Sequence, residues 1–355
     1  MQRPVRISGR YLALLLLGAL LVPTCSSAKV PALKAIYGPL RMPDGSSVFP
    51  VYQRLGAQVL EMQLSWATVA GNRPAGPTDP ADPAYRWPVQ LDSAVRDAAR
   101  YHIDIALLVE DFPAWSNGGR GPAWAPTNPA DYANFIQAAS RRYPSVHFWM
   151  ILNEVNNSRN FRPLPAHSPV GPQRYAALLD LAYRALKAVN PANIVIGGMT
   201  YSTGTIGTYD FIHWMRLANG RRPRMDYYGH NPYSIRYPNL AQKPFSALVC
   251  DIDDIDTLEQ RLADIYHRHT PKLWLSEFGI SNAANASFDY YVSQQVQARW
   301  VTAAFRLVNS VSYVAAMGWY ELLDDSPSSS AGLSEGLMTA TGMPKPAFYA
   351  YASAP

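Results

Sequence analysis

Two glutamates stand where short apolar runs end. In His147-Phe-Trp-Met-Ile-Leu-Asn153-Glu154 the run closes on Asn-Glu, and in Lys272-Leu-Trp-Leu-Ser-Glu277-Phe-Gly279 a second run delivers Glu277. An unpaired carboxylate is too costly to hide inside such a run, so each glutamate is expected to emerge into a cleft at the end of a buried strand. Glu154 therefore reads as an active-site acid and Glu277 as its partner, in one site built from two strands. The two lie 123 residues apart, which leaves room for intervening strand–helix units. Parallel-strand α/β folds bring the carboxyl ends of their strands to one face and place chemistry there.

The elements that must position this pair recur along the chain. Strand-like runs are expected at 32–38, 58–66, 103–109, 147–154, 193–199, 225–233, 272–279 and 314–321. Helical apolar spacing falls between them, at 91–101, 131–142, 174–189, 211–218, 258–267 and 293–310, with the end of a short helix at 52–56. Eight alternations that use the whole chain after residue 28, with no composition break, predict a single closed (β/α)8 TIM barrel over 29–355 rather than an open doubly wound sheet. Ser326 to Ser334, rich in serine, reads as a loop beside the mouth.

The first 28 residues differ from the rest. Arg3, Arg6 and Arg10 precede the apolar stretch Tyr11 to Val22, and Ser26-Ser-Ala28 follows. This order is that of a secretory signal peptide, with an apolar segment shorter than the ~20 residues of a membrane span. A mature N-terminus at Lys29 and a secreted protein are expected. Val22-Pro-Thr-Cys25 departs from a lipoprotein box at Pro23 and Thr24, so a lipid anchor at Cys25 is the minority alternative. Loss of the leader removes three positive charges from a formal +5. The remaining +2 gives no case for nucleic acid as a partner. Cys250 is then the only cysteine, no Cys/His cluster has metal-ligand spacing, and no phosphate loop occurs, so neither a metal nor another cofactor is expected.

With Glu154 on the fourth strand and Glu277 on the seventh, the chain resembles the retaining glycoside hydrolases of clan A. The resemblance rests on Asn153-Glu154 at the fourth strand, His230-Asn-Pro-Tyr233 after the sixth, Glu277 at the seventh and Trp319 at the eighth. The tail Gly342-Met-Pro-Lys-Pro-Ala-Phe-Tyr-Ala is similar to the closing helix of families 39 and 5 in that clan. The resemblance implies that Glu154 is the acid/base and Glu277 the nucleophile. Asn153 would bind the hydroxyl next to the reacting carbon, Tyr233 would orient Glu277, and His230 would support the pair. Trp319, with Trp66 and Trp115, would stack on sugar rings. Many clan A members also carry an arginine at the end of the second strand that supports the nucleophile. Glu61-Met-Gln63-Leu-Ser-Trp66 has none: either Gln63 substitutes, or the second strand is offset by a few residues, or the family is a divergent one.

The expected activity is hydrolysis of a glycosidic bond, β-linked by preference, in a polysaccharide or oligosaccharide by double displacement. Aromatic loops after the second, third, fourth and eighth strands would supply several sugar subsites. A catalytically silent glycan-binding barrel and a transglycosylase on the same fold remain the alternatives.

Overall fold

In the computed structural model, residues 30–285, 290–326 and 328–355 are described. The expected leader, Cys25 and the expected mature terminus at Lys29 lie outside these residues. Pro31–Pro355 forms one compact unit. Its strands β1 (Leu33–Tyr37), β2 (Val59–Ser65), β3 (Asp104–Glu110), β4 (Phe148–Ile151), β5 (Ile194–Tyr201), β6 (Tyr227–Asn231), β7 (Lys272–Phe278) and β8 (Val314–Trp319) pair in sequence order. All pairings are parallel, and β8 returns to β1 to close the barrel. Closure leaves no strand edge unpaired.

Helices α1 (Phe49–Leu55), α2 (Trp66–Val69), α3 (Val89–Arg100), α4 (Pro129–Arg142), α5 (Val170–Val189), α6 (Thr208–Trp214), α7 (Ile255–Tyr266), α8 (Gln294–Ser310) and α9 (Pro346–Ser353) occupy the connections. Each strand is followed by a helix, and α2 is one extra turn after β2, capped by the Ser65 hydroxyl accepting from the Thr68 amide. Helix α5 begins a turn before the Ala/Leu-rich run and takes in Val170-Gly-Pro; α6 ends sooner than its pattern suggested, at Trp214.

Two apolar layers follow from the strand period of two. One fills the barrel, with Ala35, Tyr37, Ala106, Met150, Ile196, Trp274 and Ala316. The other lies between the strands and the helix ring, with Ile36, Leu60, Leu107, Trp149, Phe278, Met317 and Trp319 among its members. An ionisable group stands inside the barrel as well. Glu61 accepts from the indole of Trp274 at 2.6 Å and from the Ser276 hydroxyl at 3.1 Å. Burial pushes its carboxyl well above the ordinary range, so it is held as the neutral acid.

Candidate active site

Strand β4 is short, and the chain leaves it through two strained residues. Leu152 and Glu154 have φ of 63° and 44°, in the left-handed region that side-chain-bearing residues rarely adopt, and Asp111 after β3 has φ of 60°. Hydrogen bonds to this backbone help hold the turns. The Tyr132 hydroxyl of α4 donates to the Val109 carbonyl at 2.7 Å, that of Tyr175 in α5 donates to the Ile151 carbonyl at 3.0 Å, and the Leu152 amide also reaches Val109. Strain of this kind persists where surrounding contacts over-determine it, and it gathers at functional sites.

Glu277 reaches the same space by a different device. Leu275 pairs with Met317 and Phe278 with Trp319, so β7 carries one more residue than β8 between those pairs. This is a β-bulge, and it changes the direction of the side chains that follow. Ser276 points into the barrel toward Glu61, and Glu277 also turns inward instead of out to the helices.

The two carboxyl groups are joined by a short amide relay. The Asn153 side-chain amide donates to Glu277 Oε1 at 3.3 Å, and Asn153 Oδ1 accepts from Asn231 at 3.2 Å. Asn231 also donates to Glu154 Oε1 at 3.4 Å. Tyr233 donates to Glu277 Oε2 at 3.2 Å, and Asn160 donates to Glu154 Oε2 at 3.1 Å. Burial raises both carboxyl pKa values, and for Glu277 the charge of Glu154 raises it further; the hydrogen bonds work in the other direction. Two close carboxyls in a site of low polarity do not both ionise readily, so the resting pair keeps a proton into the neutral range.

Of the eight residues singled out in the sequence, Asn153, Glu154, Tyr233 and Glu277 come together. His230 does not join them. It is fully buried on the outer side of β6; its Nε2–H donates to the Cys250 carbonyl at 2.8 Å and its Nδ1 accepts from the Thr200 hydroxyl at 2.9 Å. Burial lowers its pKa to about 4, which keeps the ring neutral. Its neighbour Asn231 is the residue that enters the site.

Trp319 is likewise turned away. It is fully buried, packs edge-on against Phe278 at 5.9 Å, and donates its indole N–H to the Glu335 carbonyl. The aromatic ring on the cleft side of β8 is the next residue, Tyr320, 5.5 Å from the ring of Tyr37. One position along a strand reverses the face.

Trp66 is 1% exposed and stacks on Phe135 of α4 at 5.6 Å. Trp115 packs edge-on against Trp66, donates to the Ala70 carbonyl, and has the Arg73 guanidinium over its ring at 4.3 Å. Trp66 thus packs onto α4 with no free ring face, while Trp115 is held in its loop by Trp66, Ala70 and Arg73.

Gln63 is exposed on β2, and it is not among the partners of Glu277, which are Asn153 and Tyr233. Three further carboxyls went unnoticed in the sequence. Burial, reinforced by Asp111 and Glu154, raises Glu110 to about 7. Burial, then Glu321 and Glu277, raises Glu335 to about 8. Glu61 sits beneath Ser276 inside the barrel. Glu110 had a visible signal, since it ends a strand as Glu154 and Glu277 do. Glu335 follows a serine-rich loop and had none. Among the described residues no cluster of three or more His, Cys, Asp and Glu side chains could hold a metal ion.

The sequence matches no protein-family model and no curated protein. The fold is that of clan A glycoside hydrolases of known structure. A family 39 glycoside hydrolase from the gut symbiont Bacteroides cellulosilyticus WH2 aligns over 91% of this chain and 63% of its own, with TM-score 0.64 and 17% identity. A glucosidase from Croceicoccus marinus aligns over 91% of this chain and 66% of its own, with TM-score 0.63 and 14% identity. A monomeric beta-xylosidase from Caulobacter crescentus CB15 aligns over 91% and 68%, with TM-score 0.64 and 16% identity. The chain thus spans just under two thirds of the first two proteins. At these identities the likeness is one of fold.

Proposed function

We propose that this chain is a secreted retaining glycoside hydrolase that cleaves a β-linked bond in an oligosaccharide or polysaccharide. The observation that carries the reading is the buried pair Glu154 and Glu277, delivered by β4 and β7 and linked through Asn153 and Asn231. Glu154 donates its proton to the glycosidic oxygen as the bond to the anomeric carbon breaks. The ionised Glu277 attacks that carbon from the opposite face and forms a glycosyl ester. Glu154, now a carboxylate, takes a proton from water as the water displaces Glu277 and releases the sugar. Asn153 is placed to hold the neighbouring hydroxyl, and Tyr233 keeps Glu277 aligned. Family 39 enzymes, a glucosidase and a β-xylosidase among the structural neighbours support this class of substrate. The basic, apolar and small-residue order of residues 1–28 supports secretion; intact mass of exported protein is expected to start at Lys29, and a diacylated Cys25 would redirect the reading to a surface anchor.

The test is a set of aryl β-glycosides followed by NMR of the first-formed product. Retained configuration is expected. Glu154→Ala is expected to keep the first step on a good leaving group and to stall at the second. Azide, which needs no general base, then restores turnover and yields a glycosyl azide of the substrate's configuration. An inverted product ends the retaining assignment, and azide rescue confined to Glu277→Ala with inverted configuration exchanges the two roles. Tight glycan binding without turnover would indicate the silent barrel.

A further inference from the structure

Carboxyl groups crowd the mouth of the barrel, although the chain as a whole has a formal charge of +5. Glu110 and Asp111 stand at the end of β3, Glu154 in the turn after β4 and Glu277 on β7. Ala106 and Leu108 face the barrel interior, and the strand period of two turns Glu110 the same way, toward the catalytic pair. The charge of Glu110 acts on Glu277, and that of Glu154 acts on Glu110. In the neighbouring loops Arg236 is held by Asp251 at 2.8 Å and Lys345 by Asp324 at 2.7 Å, so neither cation offsets these acids. A cleft lined by one sign of charge draws in the opposite sign.

Glu110, Asp111, Asn153 and Asn160 line a cavity of about 100 Å³ next to the pair, with the exposed Arg159 among its walls. Among the described residues Arg159 forms no salt bridge, and the Glu110 side chain accepts no hydrogen bond. An ionised Glu110 therefore lacks a counter-charge in a site of low polarity. A second acceptor is open close by. Asn231 is fully buried, its side-chain amide donates to Asn153 and Glu154, and its Oδ1 has no donor among the described residues. Buried acceptors left open in a site are costly unless a ligand supplies the donor. A hydroxyl brings a donor but no charge. An ammonium brings three donors, no acceptor and the missing positive charge.

We propose that the sugar attacked carries a free amino group on the carbon next to the reacting one, and that Glu110 and Asp111 bind it as the ammonium. The inference rests on the glycosidase reading and names its substrate class. Asn153 donates to Glu277 and also lines this cavity, so a substituent on the carbon beside the one attacked is the group that enters it. Glu110 and Asp111 accept its N–H groups in charge-assisted hydrogen bonds. The bound cation also favours the ionised form of Glu277, which is the form that attacks. Acetylation of the nitrogen removes the charge and leaves a single N–H, and a uronate adds a like charge to the mouth. Both are disfavoured, so Glu110 and Asp111 select an aminated sugar over a neutral or acidic one.

The experiment measures kcat/KM for aryl β-glucosaminide and β-galactosaminide against aryl β-glucoside and β-galactoside, with one leaving group and at a pH where the amine is protonated. The amino-to-hydroxy ratio is internal to each protein, so a partial loss of folded enzyme cancels. Wild-type protein is expected to give a ratio above one, although a positive charge beside the reacting carbon slows its cleavage where no counter-charge is present. Glu110→Gln is expected to lower that ratio at least about tenfold, the loss of one charge-assisted bond. Asp111→Asn, which suits the left-handed backbone at that position, is expected to lower it as well. A wild-type ratio of one or less, a ratio that Glu110→Gln leaves unchanged, or better turnover of the N-acetylated glycoside than of the free amine overturns the proposal. If no aryl glycoside is turned over, calorimetry with β-1,4-linked tetramers of glucosamine and of glucose decides. Tighter binding of the amino tetramer that Glu110→Gln abolishes supports the amino-sugar site and leaves only the hydrolase reading in error; equal binding, no binding, or a preference that the variant keeps overturns it.

Discussion

Glu277 and Glu154 are wired to different partners, and the difference is measurable. Tyr233 and Asn153 donate to Glu277, whereas Asn231 and Asn160 donate to Glu154. Each bond favours the ionised form of its carboxyl, so removing one raises that group's pKa further. A bell-shaped kcat/KM profile is expected, with an acid limb set by ionisation of Glu277 and an alkaline limb by loss of the Glu154 proton, both above the usual carboxylate range. Tyr233→Phe is expected to lower kcat by about 10- to 100-fold, since a hydrogen bond to a charged group contributes about 1.5–3 kcal/mol, and to move the acid limb to higher pH. Asn231→Ala removes a donor from Glu154 and is expected to move the alkaline limb upward instead. Profiles in which both variants shift the same limb would contradict the division of roles.

The bulge in β7 decides where Glu277 points, and Gly318 of β8 makes room for it. A Cβ at Gly318 would overlap the Ser276 carbonyl and come within 3.0 Å of Glu61 Oε2. Gly318→Ala is expected to reduce kcat by at least about 100-fold, because a displacement of about 1 Å at a reacting group costs that much, and to lower the melting temperature as well. Unchanged kinetics would mean that the bulge does not depend on that glycine. Register also separates two neighbouring aromatics. Trp319→Phe is expected to act on stability and Tyr320→Ala on turnover, by denaturation and kcat/KM respectively. Inside the barrel, the protonated Glu61 makes stability fall as pH rises from the unfolded-state carboxyl range toward its raised folded value, since over that window the unfolded chain releases a proton that the folded one keeps. Glu61→Gln keeps an acceptor for Trp274 and is expected to show a smaller drop in melting temperature between pH 5 and pH 8 than the parent.

Across the whole molecule the two ends of the barrel do different work. The carboxyl end carries the strained turns, the bulge and the buried acids. The other end is closed by Lys34, whose ammonium donates to the carbonyls of Leu55, Tyr351 and Ala354 at 2.8–3.2 Å, while the Tyr351 hydroxyl donates to the Ala35 carbonyl. These bonds fasten α9, the last helix of the ring, to β1, its first strand. Lys34→Ala is expected to cost about 2–3 kcal/mol of stability, read from chemical denaturation, with kcat/KM unchanged at a temperature where the variant is folded. A variant that loses activity while its stability is intact would show that the base of the barrel communicates with the mouth.

The barrel and the placing of Glu154 and Glu277 near strand ends were legible in the sequence because both rest on local chemistry. Eight apolar runs alternate with helical periods, and two of them end on a glutamate that burial within the run would penalise. Asn153, next to Glu154, and Tyr233, after the sixth strand, came with the resemblance to clan A. What failed was facing. The bulge that turns Glu277 inward has no mark in Leu-Ser-Glu-Phe, and the choice between Trp319 and Tyr320, or between His230 and Asn231, is one residue of register. Trp66 and Trp115 are the residue types a sugar platform needs, and equally those that fill the gap between a loop and α4. Glu335 lies 58 residues beyond Glu277 in the chain and comes near it only when β8 lies beside β7. Local sequence determines which groups sit at strand ends; only the closed barrel, by placing distant strand ends around one mouth, decides which of them meet.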